Sequence, residues 1–273
     1  MFHTDVVRNE LDHCSNCFDR SKYYIFVEVL SVQFILLYLY TILKICVDKN
    51  LLLSIMSTHC SDNRTSISEF FELPFAESSF KSSLLDDNDI DLGYYLTAYE
   101  ELYKFCQLLG TVFSFVGSEI KSKMEILVSL KKADENNYFK TMKSMVEYEM
   151  KNNLLSDKNY ISGSRTLLRL HRGLDFLRQF LERVGNLENH ESTNNVGQEV
   201  YAATLAKYHS WLVRKGASMA MYVLPTREVL LQKVCGEDYN EALRCLPSML
   251  AVTNEVYERT QNYLEEKDLL GLP

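Results

Sequence analysis

Apolar residues recur at helical spacing along most of the chain, and no sustained alternation of apolar and polar positions competes with that pattern. The segment "GTVFSFVGSEIKSKMEILVSL" illustrates it. With each residue turned about 100° from the last, Val112, Val116, Ile126, Leu127 and Leu130 share one face, with Phe113, Ile120 and Met124 beside them. Ser114, Ser118, Lys121, Ser122, Glu125 and Ser129 take the opposite, wet side. Glu119 and Lys123 fall within the apolar stripe. Read this way, the chain is predicted to form helices near 77–85, 91–109, 111–131, 135–152, 163–184, 196–223, 226–234, 238–246 and 248–266. "GNLENHESTNNVGQ" reads as a loop, and "LPTRE" restarts a helix after Pro225.

Two further helices carry charge in unexpected places. In "SGSRTLLRLHRGLDFLRQFLE", Leu167, Leu170, Leu174, Leu177 and Leu181 form a core stripe, and Arg165, Arg169 and Arg172 lie opposite at i, i+4 and i+7. The arginine side continues into Phe176 and Phe180, so the helix is apolar on both faces over its second half and is expected inside the protein, with a layer on each side. In "EVYAATLAKYHSWLVRKGASMAMYVL", Tyr201, Leu205, Tyr208, Leu212 and Met219 make the apolar face, with His209 among them.

Glu119, Lys123, Arg165, Arg169 and His209 thus sit on three partly apolar helices with an excess of positive charge. A buried charge left unpaired costs several kcal/mol. Glu119 neutralises one cation, and at least one further anion is needed. Guanidinium forks and a lysine point charge suit a phosphate, whose several oxygens accept from donors on different helices. An anionic ligand within an apolar helical layer points to a phospholipid. Arg172 is left open, as a ligand contact or as a structural ion-pair partner.

Composition narrows the class. The chain has 273 residues, 47% of them apolar, with only four prolines and ten glycines, which fits a mostly helical protein with a real core. A formal net charge of −8 argues against nucleic acid as the main partner. Seven cysteines without framework spacing fit reduced thiols in the cytosol. Cys14 and Cys17 form a C-x-x-C beside His13, but no second pair follows at zinc-ribbon spacing. No nucleophile with a base, metal cluster or glycine-rich phosphate loop is evident, so neither catalysis nor a cofactor is expected.

The first 60 residues differ from the rest. From Tyr23 to Val47 the chain is apolar apart from Glu28 and Lys44, which bracket 15 uncharged residues; a bilayer span needs about 20. The segment is either a membrane anchor or lies outside the working protein, which then begins near Met56. The chain divides accordingly into an extension at 1–60, a polar linker at 61–76 and a folded domain at 77–273.

The motifs "LLGTVFSFVGSEIKSK", "SGSRTLLRLHRGLDFLRQFLE", "YHSWLVR", "LPTRE" and "DLLGLP" follow one another in an order and at spacings that resemble the glycolipid transfer protein family, most closely its ceramide 1-phosphate branch. The resemblance covers roughly residue 77 to Pro273. It implies an all-α, two-layer helical sandwich enclosing an apolar pocket for the two hydrocarbon chains of a sphingolipid. By position it assigns Lys123, Arg165 and Arg169 to the phosphate, Glu119 to the ceramide amide N–H and His209 to the amide carbonyl.

Glu119 stands where the family usually has aspartate, and its extra methylene lengthens the reach by roughly one C–C bond. Arg169 stands where the glycolipid branch stacks a tryptophan under the sugar, a change that trades sugar recognition for phosphate recognition. The implied ligand is ceramide 1-phosphate or a similar phosphosphingolipid. The implied carrier is a cytosolic monomer that meets membranes peripherally. Trp211 lies either at the pocket mouth, in contact with membrane, or in the core. A phosphosphingolipid phosphatase and a sensor that binds lipid without moving it are the rival readings. The first is set back by the missing nucleophile and metal cluster.

Overall fold

The computed structural model describes residues 70–237 and 239–273. Local sequence chemistry sets the helix starts. α1 (Leu73–Ser83) opens on Pro74, which tolerates the first turn because its missing N–H would have had no partner there. α2 (Leu92–Leu108) is capped by Asp91, whose carboxylate accepts from the N–H groups of Gly93 and Tyr94 at 2.7 and 3.1 Å. Gly110, at φ 104°, takes the left-handed turn into α3 (Thr111–Ala133). Thr141 and Ser144 form a capping box for α4 (Met142–Lys151), and Ser162 caps α5 (Gly163–Gly185). α6 (Asn194–Thr204), α7 (Trp211–Tyr222), α8 (Arg227–Cys235) and α9 (Asn240–Glu266) complete the set. The described residues form no strands, only isolated bridges.

The helices lie in two layers around a shared core. α1 packs on α2 and α9, and α2 on α3. α5 touches α3, α4, α6 and α9, but the second half expected to be enclosed on both faces leaves Phe176 half-buried and Glu182 and Arg183 exposed, and most of the burial lies in its first half. Leu167, Leu170, Leu174, Leu177 and Leu181 are all buried, and Phe176 stacks on the buried Phe180 with ring centroids 5.7 Å apart. The Tyr99 hydroxyl donates to the Leu170 carbonyl at 2.8 Å, tying α2 to α5. α7 is held differently. It packs chiefly on α6 and buries only Ala220 and Met221.

The interior is closely packed. A cavity of about 20 Å³ lies among Phe71, Phe105, Leu181, Leu230 and Leu246, whereas ligand pockets hold roughly 300–1,000 Å³.

Four boundaries differ from the periodicity. α1 starts at Leu73 rather than 77, with Phe71, Leu73 and Ala76 already buried. α4 starts at Met142 rather than 135, because Asp134 turns the chain by accepting from Asn136 and Phe139 N–H groups at 3.1 and 2.6 Å. The helix predicted over 196–223 is broken by a 3-10 turn, Ala206–Tyr208, and by extended backbone at His209 and Ser210. The two helices predicted over 238–266 are one, α9, which runs through Pro247. Buried Leu246 and Met249 flank that proline and supply packing that offsets the lost backbone bond. The apolar segment 23–47, the Cys14, Cys17 and His13 group, and the boundary at 60 lie outside the described residues. Among the described residues no helix is long and apolar enough to cross a membrane.

Candidate functional site

The candidate residues lie on α3, on α5 and at the α6–α7 junction, and α5 packs on both α3 and α6. On α3, the Lys123 ammonium pairs with the Glu119 carboxylate at 2.8 Å; Lys123 is 12% exposed and Glu119 62%. This corrects the expectation that both are enclosed. The buried face of α3 runs through Phe113, Gly117, Met124 and Leu127, and Glu119 sits at its edge. An angular position on a wheel does not reveal whether another helix covers it.

On α5, the side chain of Arg165 is anchored by the preceding loop, with one guanidinium nitrogen donating to the carbonyls of Asp157 and Tyr160 at 2.9 and 2.7 Å. Arg169, one turn later, is exposed and makes no hydrogen bond or salt bridge among the described residues. Its charge acts on Arg172 one turn further on, whose pKa is lowered by burial first and by Arg169 to a lesser degree. Arg172 itself is committed to structure. It donates to the carbonyls of Leu270 and Leu272 at 2.8 and 3.1 Å, and its guanidinium lies 4.0 Å from the centroid of the Tyr208 ring. Its partners are carbonyls and an aromatic face, so the ion-pair alternative gives way to a clasp on the C-terminus.

Tyr208 leads directly to His209, which ends the 3-10 turn. The Nδ1 of His209 shares a hydrogen bond of 2.8 Å with the Tyr201 hydroxyl. That contact fixes the ring and leaves Nε2 for another partner. Burial lowers the pKa of His209, while the negative charge of Glu119 acts in the opposite direction. Burial thus disfavours the charged imidazole. The structure thus connects Lys123 to Glu119, Glu119 to His209, and His209 through Tyr208 and Arg172 to Arg169. Arg165 joins them along α5.

Trp211 follows immediately at the start of α7 and is 64% exposed, so the core-packing alternative fails for it. Phe115, Val213, Met219, Tyr222 and Val223 are exposed as well. Among the described residues no group of three or more His, Cys, Asp or Glu is placed to hold a metal ion.

Supporting residues escaped the periodicity. Glu149 on α4 is fully buried and accepts from the Ser162 hydroxyl and from the Gly163 and Ser164 N–H groups at 2.7, 2.6 and 2.9 Å. A carboxylate thus sits on the positive end of α5, directly under Arg165 in sequence. Gly163 lets the chain pass close to Met145, whose sulfur would lie 2.4 Å from an added Cβ and would have to shift. The signal that could have flagged this was the Ser-Gly-Ser run at a helix start, which leaves N–H groups in need of an acceptor. Nothing in the sequence pointed to Glu149 as that acceptor.

Residues 90–236 match the family model of the glycolipid transfer protein. The chain belongs to the glycolipid transfer protein family. It is 34% identical to a ceramide-1-phosphate transfer protein of Mus musculus over 209 residues, covering 74% of this chain and 97% of that one. A ceramide-1-phosphate transfer protein of Danio rerio is 33% identical over 211 residues, covering 76% of this chain and all of the relative. The crystal structure of human ceramide-1-phosphate transfer protein in complex with 2:0 ceramide-1-phosphate superposes with a TM-score of 0.69 at 32% identity, covering 75% of this chain and 100% of that one. Proteins of the glycolipid transfer protein family are non-enzymatic lipid carriers, which places this chain among them rather than among phosphatases. The all-α two-layer arrangement is that family's fold.

Proposed function

We propose that this chain binds ceramide 1-phosphate and carries it between membranes. Arg169 is the observation that carries this reading: an exposed guanidinium with no hydrogen bond or salt bridge among the described residues, one turn from Arg165. Such a group is ready to accept a phosphate without breaking an existing bond. The phosphate sits between Lys123, Arg165 and Arg169. Arg165 keeps its loop carbonyls with one nitrogen and offers its other donors, since a guanidinium has five N–H groups. Lys123 exchanges the Glu119 carboxylate for the phosphate, which frees Glu119 to accept the ceramide amide N–H. His209, held by Tyr201, donates from Nε2 to the amide carbonyl.

The hydrocarbon chains enter the core between the layers. Burying a methylene is worth about 0.8 kcal/mol, so a sixteen-carbon chain gains on the order of 12 kcal/mol. A bilayer offers the same gain, so the chains confer little selectivity and the head-group contacts decide. The loosely held α7, with Trp211 at its start, rests its exposed apolar side chains in the membrane surface during loading. The protein acts as a cytosolic monomer in peripheral contact with membranes.

Arg169→Leu is expected to lower ceramide 1-phosphate transfer between vesicles at least about tenfold, as the loss of a charged hydrogen bond of about 1.5–3 kcal/mol requires, with an unchanged circular dichroism spectrum. Transfer at the wild-type rate would overturn the assignment.

A further inference from the structure

A second hollow, of about 270 Å³, opens where the end of α3 meets the turn before α4. Its walls include Tyr138, Phe139, Tyr148 and Tyr160, with Asp134 and Glu135 at the same site, and among the described residues no lysine, arginine or histidine lines it. We propose that this hollow binds an organic ammonium cation. The face of an aromatic ring attracts a cation through its quadrupole, and a pocket walled by several rings with carboxylates beside them selects that class of ligand over anions and neutral polar groups.

The walls are preorganised. Tyr138 stacks on Tyr148 with centroids 4.5 Å apart at 19°, and Phe139 meets Tyr148 edge-on at 5.8 Å. The Ser144 hydroxyl donates to the Tyr138 carbonyl at 2.7 Å, and Asp134 holds the Phe139 N–H at 2.6 Å. Asp134 is therefore already engaged with backbone, whereas exposed Glu135 brings a carboxylate with no hydrogen bond among the described residues. None of the residues proposed to hold the lipid phosphate or amide lines this hollow, but the two sites share a wall. The ring of Tyr160 lines the hollow, while its carbonyl accepts from Arg165 at 2.7 Å.

The ammonium has two possible sources, a free amine such as choline or a lipid head group extended past its phosphate, as in sphingomyelin. The second source rests on the proposed function; the first does not. The test is an amide NMR titration of the full chain with choline chloride, set against 3,3-dimethylbutanol, which has choline's shape without its charge. Choline is expected to give saturating shifts confined to residues 134–139 and to Tyr148 and Tyr160, and the alcohol none at the same concentration. Tyr138→Ala, at a side chain already 43% exposed, is expected to weaken choline binding about fivefold. Glu135→Gln, which leaves the packing intact, is expected to weaken it about twofold.

Arg169→Leu should bind choline as the wild type does, so loss of the lipid reading would leave this site standing. Vesicles separate the sources. If the cation is lipid-borne, the wild type extracts sphingomyelin and Tyr138→Ala loses that lipid while keeping ceramide 1-phosphate. If it is a free amine, sphingomyelin stays in the vesicles while the choline shifts persist. Shifts that fail to saturate, equal shifts from the neutral alcohol, or unchanged choline affinity in both variants would overturn the proposal.

Discussion

Glu149→Gln tests the link between the fold and the proposed phosphate site. In the wild type one carboxylate oxygen accepts from the Ser162 hydroxyl and the Ser164 N–H, and the other accepts from the Gly163 N–H. Glutamine keeps one acceptor oxygen and turns an NH₂ donor toward a group that is itself a donor. The substitution removes at least one charge-assisted bond, removes the negative charge from the α5 N-terminus, and leaves a buried N–H unsatisfied. With about 1.5–3 kcal/mol for a hydrogen bond to a charged group and about 1–3 kcal/mol for an orphaned donor, partial relaxation brings the expected loss to about 2–4 kcal/mol. For a domain of this size that lowers Tm by roughly 5–15 °C. Urea unfolding followed by tryptophan fluorescence and circular dichroism reads the loss directly. Because Arg165 follows the capped residues, hydrogen exchange at 163–167 should rise in the same variant. A loss under about 0.5 kcal/mol, within the spread of surface substitutions, would refute the argument that this carboxylate holds the start of α5.

Other perturbations read other parts of the structure. His171 is buried, bonded through Nε2 to the Gln261 side chain at 2.8 Å and stacked on Tyr257, and burial holds its pKa down to about 4 despite the opposing pull of Gln261 and Asp175. Its contribution is complete above the unfolded value of about 6.5 and is lost as pH falls toward 4, because only the unfolded chain takes up the proton. His171→Asn should therefore flatten the decline of the urea midpoint between pH 6.5 and 4, and an unchanged slope would count against this residue as its source. Arg172→Lys is expected to increase hydrogen exchange over 268–273, because lysine cannot bridge two carbonyls while lying flat on Tyr208; exchange at the wild-type rate would contradict the clasp. Trp211→Ala should leave Tm within about 1 °C, since the ring is exposed, while reducing sedimentation with vesicles; equal sedimentation would remove it from the membrane contact.

Much of the architecture was legible because one physical rule dominated. The leucine stripe of α5 and the serine-rich wet face of α3 follow from amphipathicity alone, and both are borne out by burial. The same rule failed wherever a neighbour decided the outcome. Glu119 lies within an apolar stripe on the wheel yet is open to solvent. The break at His209 carries neither glycine nor proline; its trace is Ser210, whose side chain accepts from the Val213 N–H as the cap of α7. Pro247 reads as a stop but sits inside α9, where buried neighbours hold the helix. Glu149 was invisible for a different reason. Its partners lie 13 to 15 residues ahead, and a glutamate in a polar stretch shows no sign of burial until the fold closes over it.

We propose that the cationic groups on α3 and α5 select a sphingolipid by its phosphate. Native mass spectrometry of the full chain, incubated with vesicles holding equal amounts of ceramide 1-phosphate, glucosylceramide and ceramide, tests that claim most directly. A one-to-one complex with the mass of ceramide 1-phosphate is expected, and it disappears in Arg169→Leu. A predominant glucosylceramide complex, or a ceramide 1-phosphate complex that survives Arg169→Leu undiminished, would contradict it.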